Sequence, residues 1–200
     1  VTRYREVAEA YLTGLEDRAR AGAPLGCVAS VASFFLSRID TLVDERLDQL
    51  GAGEARTLRG QAAVASARLA YQAYKGIEVE TRWQALARQG ARTQRLLWAS
   101  TGTKDPAYSD VKYVEPLIGP DTVNTLPLET VAAYRDHGNP ARRLEDGIEA
   151  ARALPVALHT LGIDLDEVAR QLEEEGIRKF IEPYDKLLAT LEQRRREVAG

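Results

Sequence analysis

An α/β fold with a parallel sheet is what this sequence predicts, on three observations. The apolar runs "CVASVASFFLS", "RLLWAS" and "DTVNTLP" have the length of strands rather than of helices. The stretches around them carry apolar residues at helical period. Strands alternating with helices imply successive βα units, whose strands run parallel. Three strands are few for a parallel sheet, so the expectation is that strand partners lie earlier in a longer chain.

In order, Tyr4, Val7, Ala8, Tyr11, Leu12 and Leu15 form one apolar stripe of an opening helix. The breaker-rich "AGAPLG" ends it. "CVASVASFFLS" follows as a strand whose continuous apolar character suits cover on both faces. From Asp40 the pattern is helical again, with Leu42, Val43, Leu47 and Leu50 on one side, and "GAG" closes it. Glu54 to Lys75 is an alanine-rich helix, and "EVETRWQALARQG" is a shorter one with Gly90 at its C′ position. After "RLLWAS" comes the irregular loop "TGTKDPAYSD", then the third strand, ended by Pro127. "LETVAAYRDHG" is a helix closed by Gly138, and "RRLEDGIEAARALPVALHTLG" is helical with a kink or break at Pro155. Asp164 and Glu167 resemble a capping box at the start of the next helix, and a long charged helix ends the chain.

The composition narrows the function. A net charge of -3 over 200 residues gives no electrostatic reason to expect nucleic acid or an anionic membrane. No apolar run approaches the ~20 residues of a membrane span. Cys27 is the single cysteine, which rules out an internal disulfide and suits a reducing cytosol. At the start of a buried strand it reads as a small hydrophobe. His137 and His159 are too few for a metal cluster of ordinary spacing. His137 is placed to meet the last carbonyls of its helix, and His159 reads as structural or exposed. There is no basic-then-apolar leader and no methionine anywhere, and the first residues already lie inside a helical pattern. One segment, 1–200, from the later part of a longer protein is the expectation.

Chemistry in parallel α/β folds gathers at the carboxyl ends of the strands. Here those ends read "SFFLSR", "WASTGTK" and "VNT". They bring Ser33, Arg38, Ser100, Lys104, Asn124 and Thr125 toward one rim. Arginine offers a planar fork to phosphate, lysine a mobile charge, and hydroxyls and loop amides neutral hydrogen bonds. That is the composition of a site for a phosphorylated metabolite. The alternative is ordinary surface chemistry: Arg38 paired with Asp40 or Asp44, Lys104 solvated, and "EQRRRE" a solvated helix face.

At the same residues the sequence resembles transaldolase. "SVASFFLSRIDTLVDERLD" resembles the segment around that family's sixth barrel strand. "LLWASTGTKDPAYSDVKYVEPLIGPDTVNTLP" resembles the next two strands and their loops, and "AAVASARLAYQAYK" fits between them. The resemblance covers most of residues 1–138, with the whole chain as the wider expectation, and is nearest the long bacterial form, which has a bifunctional relative fused to glucose-6-phosphate isomerase. It implies a (β/α)8 barrel of which this chain is the C-terminal part: strands six to eight and the final helices, without the N-terminal half.

The resemblance also implies a cytoplasmic enzyme of carbohydrate metabolism in the pentose phosphate pathway. Such an enzyme uses a lysine Schiff base and no metal or organic cofactor. It moves a dihydroxyacetone unit from a ketose phosphate (sedoheptulose 7-phosphate or fructose 6-phosphate) to an aldose phosphate. The family's Schiff-base lysine, its acid/base Asp and Glu and an assisting Asn lie on strands one to five, so no catalytic residue is carried over to this chain. What carries over is the phosphate end. A serine and an arginine five residues later match Ser33 and Arg38, and a serine ending the seventh strand matches Ser100. Where many members have an arginine two residues on, this sequence has Gly102, and Lys104 is the candidate replacement. Lys104 is a poor nucleophile, because Asp105 beside it favours the charged ammonium.

The implied partners are sugar phosphates, an upstream half of the same protein and further copies of the chain. Two rival readings are a non-catalytic sugar-phosphate-binding fragment and a helical interaction protein.

Overall fold

The computed structural model describes residues 1–51 and 53–199. The opening stripe forms helix α1, Thr2–Arg20, burying Tyr4, Ala8, Leu12 and Leu15, with Val7 on the exposed side. The first strand, β1, is Val31–Phe35, shorter at both ends than the apolar run. Residues 27–30 form no strand, and Cys27 is exposed, beside Arg18 and the carbonyl of Pro24, rather than packed as a hydrophobe.

At its other end the strand becomes helix without a linker: α2, Leu36–Leu50, starts four residues before Asp40. Of the "GAG" expected to close it, Gly51 and Gly53 adopt positive φ, which glycine takes without strain, and Ala52 lies outside the described residues. The single helix expected from Glu54 is two. A turn of helix, α3 (Glu54–Thr57), is separated from α4 (Ala62–Glu78) by residues 58–61. Helix α5, Thr81–Ala87, precedes β2, Arg95–Ala99. The second crossover carries no α-helix, only a loop with a 3-10 turn at Glu115–Leu117, and leads to β3, Thr122–Asn124. Helices α6 (Leu128–His137), α7 (Ile148–Thr160, running through Pro155) and α8 (Leu165–Ala199) complete the chain. The two C-terminal helices expected are one, continuous through Gly176 and Pro183.

The strands form one parallel sheet in the order β1-β2-β3. Ser33 stands opposite Leu97, and Phe34 opposite Trp98. Leu97 in turn stands opposite Val123. Only one face of β1 is covered, contrary to the two-sided burial the apolar run suggests. Ala32 and Phe34 turn inward, whereas Val31, Ser33 and Phe35 stay exposed. Phe34 meets Trp98 edge to face, with ring centroids 6.1 Å apart.

Beneath the sheet, Ala63, Ala67, Ala70 and Ala73 let α4 lie close against Leu96 and Trp98. A second cluster, with Val43, Leu47, Leu154, Leu158 and Val168, binds α2, α4, α7 and α8. A third joins Leu12 and Leu15 of α1 to Trp83 and Leu86 of α5. No helix among the described residues is long and apolar enough to cross a membrane.

Candidate functional site

The carboxyl ends of the three strands are laced together by short polar contacts. Because α2 begins where β1 stops, Ser37 and Arg38 occupy its first turn, where backbone N–H groups have no partner within the helix. The Ser37 N–H donates to the carbonyl of Ser100 at 3.0 Å. The Ser37 and Ser100 hydroxyls share a second hydrogen bond of 2.8 Å. Ser100 holds φ at +55°, a left-handed conformation that a non-glycine residue keeps only where its surroundings enforce it. One residue on, the buried Thr101 hydroxyl donates to the carbonyl of Thr125. Thr125 returns its own N–H and hydroxyl to the carbonyl of Trp98, each at 3.0 Å.

Arg38 turns away from this lacing. Its guanidinium lies 5.1 Å from the centre of the Phe35 ring and reaches toward Gly176 on α8. It lines a groove of about 930 Å³ with Ser33, Phe35, Tyr4, Pro155 and Phe180, between β1 and helices α1, α7 and α8. No salt bridge or side-chain hydrogen bond among the described residues engages it.

The acids expected as its rivals are occupied elsewhere. Asp40, 1% exposed, accepts from the Ala63 N–H at 2.7 Å and from the Tyr113 hydroxyl at 2.8 Å. It also forms an ion pair with Lys112 at 3.0 Å. The ammonium sits off hydrogen-bonding geometry there, its charge 3.3 Å from the centre of the Tyr108 ring. Asp44 accepts from the Gly60 N–H and the Tyr108 hydroxyl. Burial pushes the Asp44 carboxyl upward, opposed by those two hydrogen bonds. Burial, followed by the Asp40 charge, pushes the Tyr113 phenol up, so it remains a proton donor.

Of the four residues matched to the phosphate end, Ser33 and Arg38 share one groove. Ser100 sits at the adjoining strand end, its hydroxyl bound to Ser37. Lys104 is exposed and lines a different, smaller pocket with Asp40, Asp44, Asp48, Arg59 and Asp105. His137 does not meet the last carbonyls of α6. Its ring lies between Asp110, at 3.0 Å, and Asp136, at 3.2 Å, whose hydrogen bonds raise its pKa, Asp110 first. His159 is exposed.

Ser37, Tyr108, Lys112 and Tyr113 are the residues the sequence reading passed over, and it offered Asp40 only as an ion partner of Arg38. One signal was available: Ser37, Asp40 and Asp44 recur at i, i+3 and i+7, a polar stripe beside the apolar Val43 and Leu47. Among the described residues, no three His, Cys, Asp or Glu side chains group in a way that would hold a metal ion.

The chain is similar to known proteins along nearly its full length. The family model for transaldolase/fructose-6-phosphate aldolase matches residues 1–191. The chain is 50% identical over 198 residues to Transaldolase 2 of Streptomyces coelicolor, covering 98% of this chain and 53% of that protein. It is 49% identical over 191 residues to a transaldolase of Thiobacillus denitrificans, covering 96% and 53%. Against a transaldolase of Mycobacterium tuberculosis it is 51% identical over 190 residues, covering 94% and 51%. The chain therefore spans about half the length of the curated relatives it matches. With that match running from the first helix into the last, the chain belongs to the transaldolase/fructose-6-phosphate aldolase family.

Proposed function

We propose that this chain is the C-terminal part of a transaldolase: strands six to eight of a (β/α)8 barrel with the final helices, supplying the side of the pocket that grips substrate phosphate. The observation that carries this reading is Arg38, a half-buried guanidinium with no protein counter-ion among the described residues, at the carboxyl end of a parallel strand and in one groove with Ser33. A guanidinium in that position matches the oxygens of a phosphate in pairs. Ser100, at the end of the neighbouring strand, is the neutral donor matched to the same phosphate end, its hydroxyl bonded to Ser37.

In the complete enzyme a lysine on an earlier strand attacks the ketone of the donor, and loss of water gives an imine. Cleavage of the neighbouring carbon–carbon bond releases an aldose phosphate and leaves an enamine on the lysine. The enamine adds to the acceptor aldehyde, and hydrolysis frees the new ketose phosphate. The residues of this chain do none of that bond-making. By holding the terminal phosphates they fix the reacting carbons in place, which is a matter of positioning. The partners in this proposal are sugar phosphates and the preceding half of the same protein, which closes the barrel along the free edge of β1. The setting is cytoplasmic, and a bifunctional fusion with glucose-6-phosphate isomerase is the alternative arrangement.

The test is Arg38→Ala in the complete protein. The KM for fructose 6-phosphate is expected to rise by about 10²-fold, the loss of a charge-assisted hydrogen-bonded pair, while turnover of unphosphorylated fructose barely changes. Equal losses on both substrates would remove Arg38 from the phosphate site. Calorimetric binding of fructose 6-phosphate by a complete protein with no transaldolase turnover would favour the non-catalytic binding fragment.

A further inference from the structure

Helix α2 carries a second chemistry on the side away from Arg38. Two residues of α-helix turn through about 200°, so Arg38 and Asp40 point in nearly opposite directions. On the Asp40 side the stripe Ser37, Asp40, Asp44 and Asp48 runs down the helix, and each member is tied to something distant in sequence. Ser37 binds Ser100 at the end of β2. Asp40 holds Ala63 at the start of α4 together with Lys112 and Tyr113 of the β2–β3 loop. Asp44 holds Gly60 and Tyr108, and Asp48 pairs with Arg59, which also pairs with Asp105. The stripe thus clamps one long loop, residues 100–113, and the start of α4 to one face of α2.

Asp40 is the centre of this clamp. Its carboxylate is buried, its two oxygens accept from an amide and a phenol, and the Lys112 ammonium stands 3.0 Å away as an ion-pair partner. No side chain of its own helix caps the start of α4, so Asp40 supplies that cap from outside. Lys112 is packed so tightly that a Cβ at Gly60 would lie 2.5 Å from its Nζ. A buried ammonium in such a place needs a fixed opposite charge. Asp40 thus helps to fix the rotation of α2 about its axis, together with Ser37, Asp44 and the buried Val43 and Leu47, and Arg38 lines the groove on the other side.

We propose that Asp40, neutralised by Lys112 and held by Tyr113, is the positioning residue that orients Arg38 toward substrate phosphate. This rests on the phosphate-gripping role proposed above. The experiment compares Asp40→Asn, Lys112→Gln, the double variant, Tyr113→Phe and Arg38→Ala in the complete protein, each with fructose 6-phosphate and with fructose. Asp40→Asn is expected to raise the KM for fructose 6-phosphate about 10-fold, with kcat and the activity on fructose little changed, because a small misplacement of a binding group weakens only what it binds. The double variant is expected to lose less than the product of the two single losses, since it leaves no buried charge unpaired.

Tyr113→Phe, which removes one hydroxyl and no charge, is expected to move the KM in the same direction by a smaller factor. It keeps the test decisive should Asp40→Asn not fold. If Asp40→Asn, or Tyr113→Phe in its place, weakens both substrates equally or neither, while Arg38→Ala still discriminates between them, the positioning role is overturned and the phosphate reading survives. If Arg38→Ala also fails to discriminate, both fall.

Discussion

Two carboxylates follow Arg38 within six residues, and in an unfolded chain either is free to pair with it. In the folded chain Asp40 and Asp44 meet Lys112, Tyr113, Tyr108 and two backbone amides instead. Lys104 has the opposite fate. It lines a pocket already rich in acid, so Lys104→Ala is expected to leave the KM for fructose 6-phosphate within about 2-fold of the parent, the size of an exposed ion pair, in contrast to Arg38→Ala. Gly60 combines φ of +70° with the Lys112 and Tyr108 side chains against its α-carbon. Gly60→Ala is expected to destabilise by at least about 1 kcal/mol from the left-handed backbone alone, seen as a Tm lower by several degrees.

His137 titrates above its ordinary value of 6.5 because Asp110 and Asp136 accept from its ring. Its protonated form is the one the fold favours. The stability it contributes is therefore complete below pH 6.5 and fades as pH rises through the raised pKa. Denaturant titrations of the parent and His137→Gln are expected to differ most below that pH and to converge above it.

Among the elements, α4 and α8 behave differently for reasons visible in their burial. Helix α4 has its small residues under the sheet and its N-terminal end tied down by Asp40 and Asp44. Helix α8 is anchored through Val168 and Leu172, but beyond Gly176 it exposes Ile177, Phe180, Ile181, Tyr184, Leu188 and Leu191. Pro183 also removes one backbone donor there. Amide exchange in the isolated chain is expected to be fast from Gly176 onward and slow in α4. Leu158 is fully buried where α7 meets α2 and α8, so Leu158→Ala is expected to cost about 2–5 kcal/mol in chemical denaturation.

Taken together, the fold has one finished face and one open one. Among the described residues β1 pairs only with β2, and Val31 and Phe35 on its exposed face are each more than 40% accessible. An unpaired strand edge beside an apolar groove invites association. Under the proposed function, the 200-residue chain alone is expected to bind a hydrophobic dye. The same chain produced with the preceding half of its protein is expected to lose that binding.

Periodicity was enough to read three parallel strands and the presence of helices around them, because each depends on spacing along a few turns of chain. It misplaced the start of α2, since "SFFLSR" is apolar enough for a strand, and the end of β1 is decided by the Ser37–Ser100 contact across 63 residues. Three matters were beyond its reach: which acid meets which cation, that only one side of β1 is covered, and that Lys104 sits apart from Arg38. The first and last depend on how α2 lies against a loop more than 60 residues away, and the second on which elements pack on the sheet, so only packing between distant segments sets them.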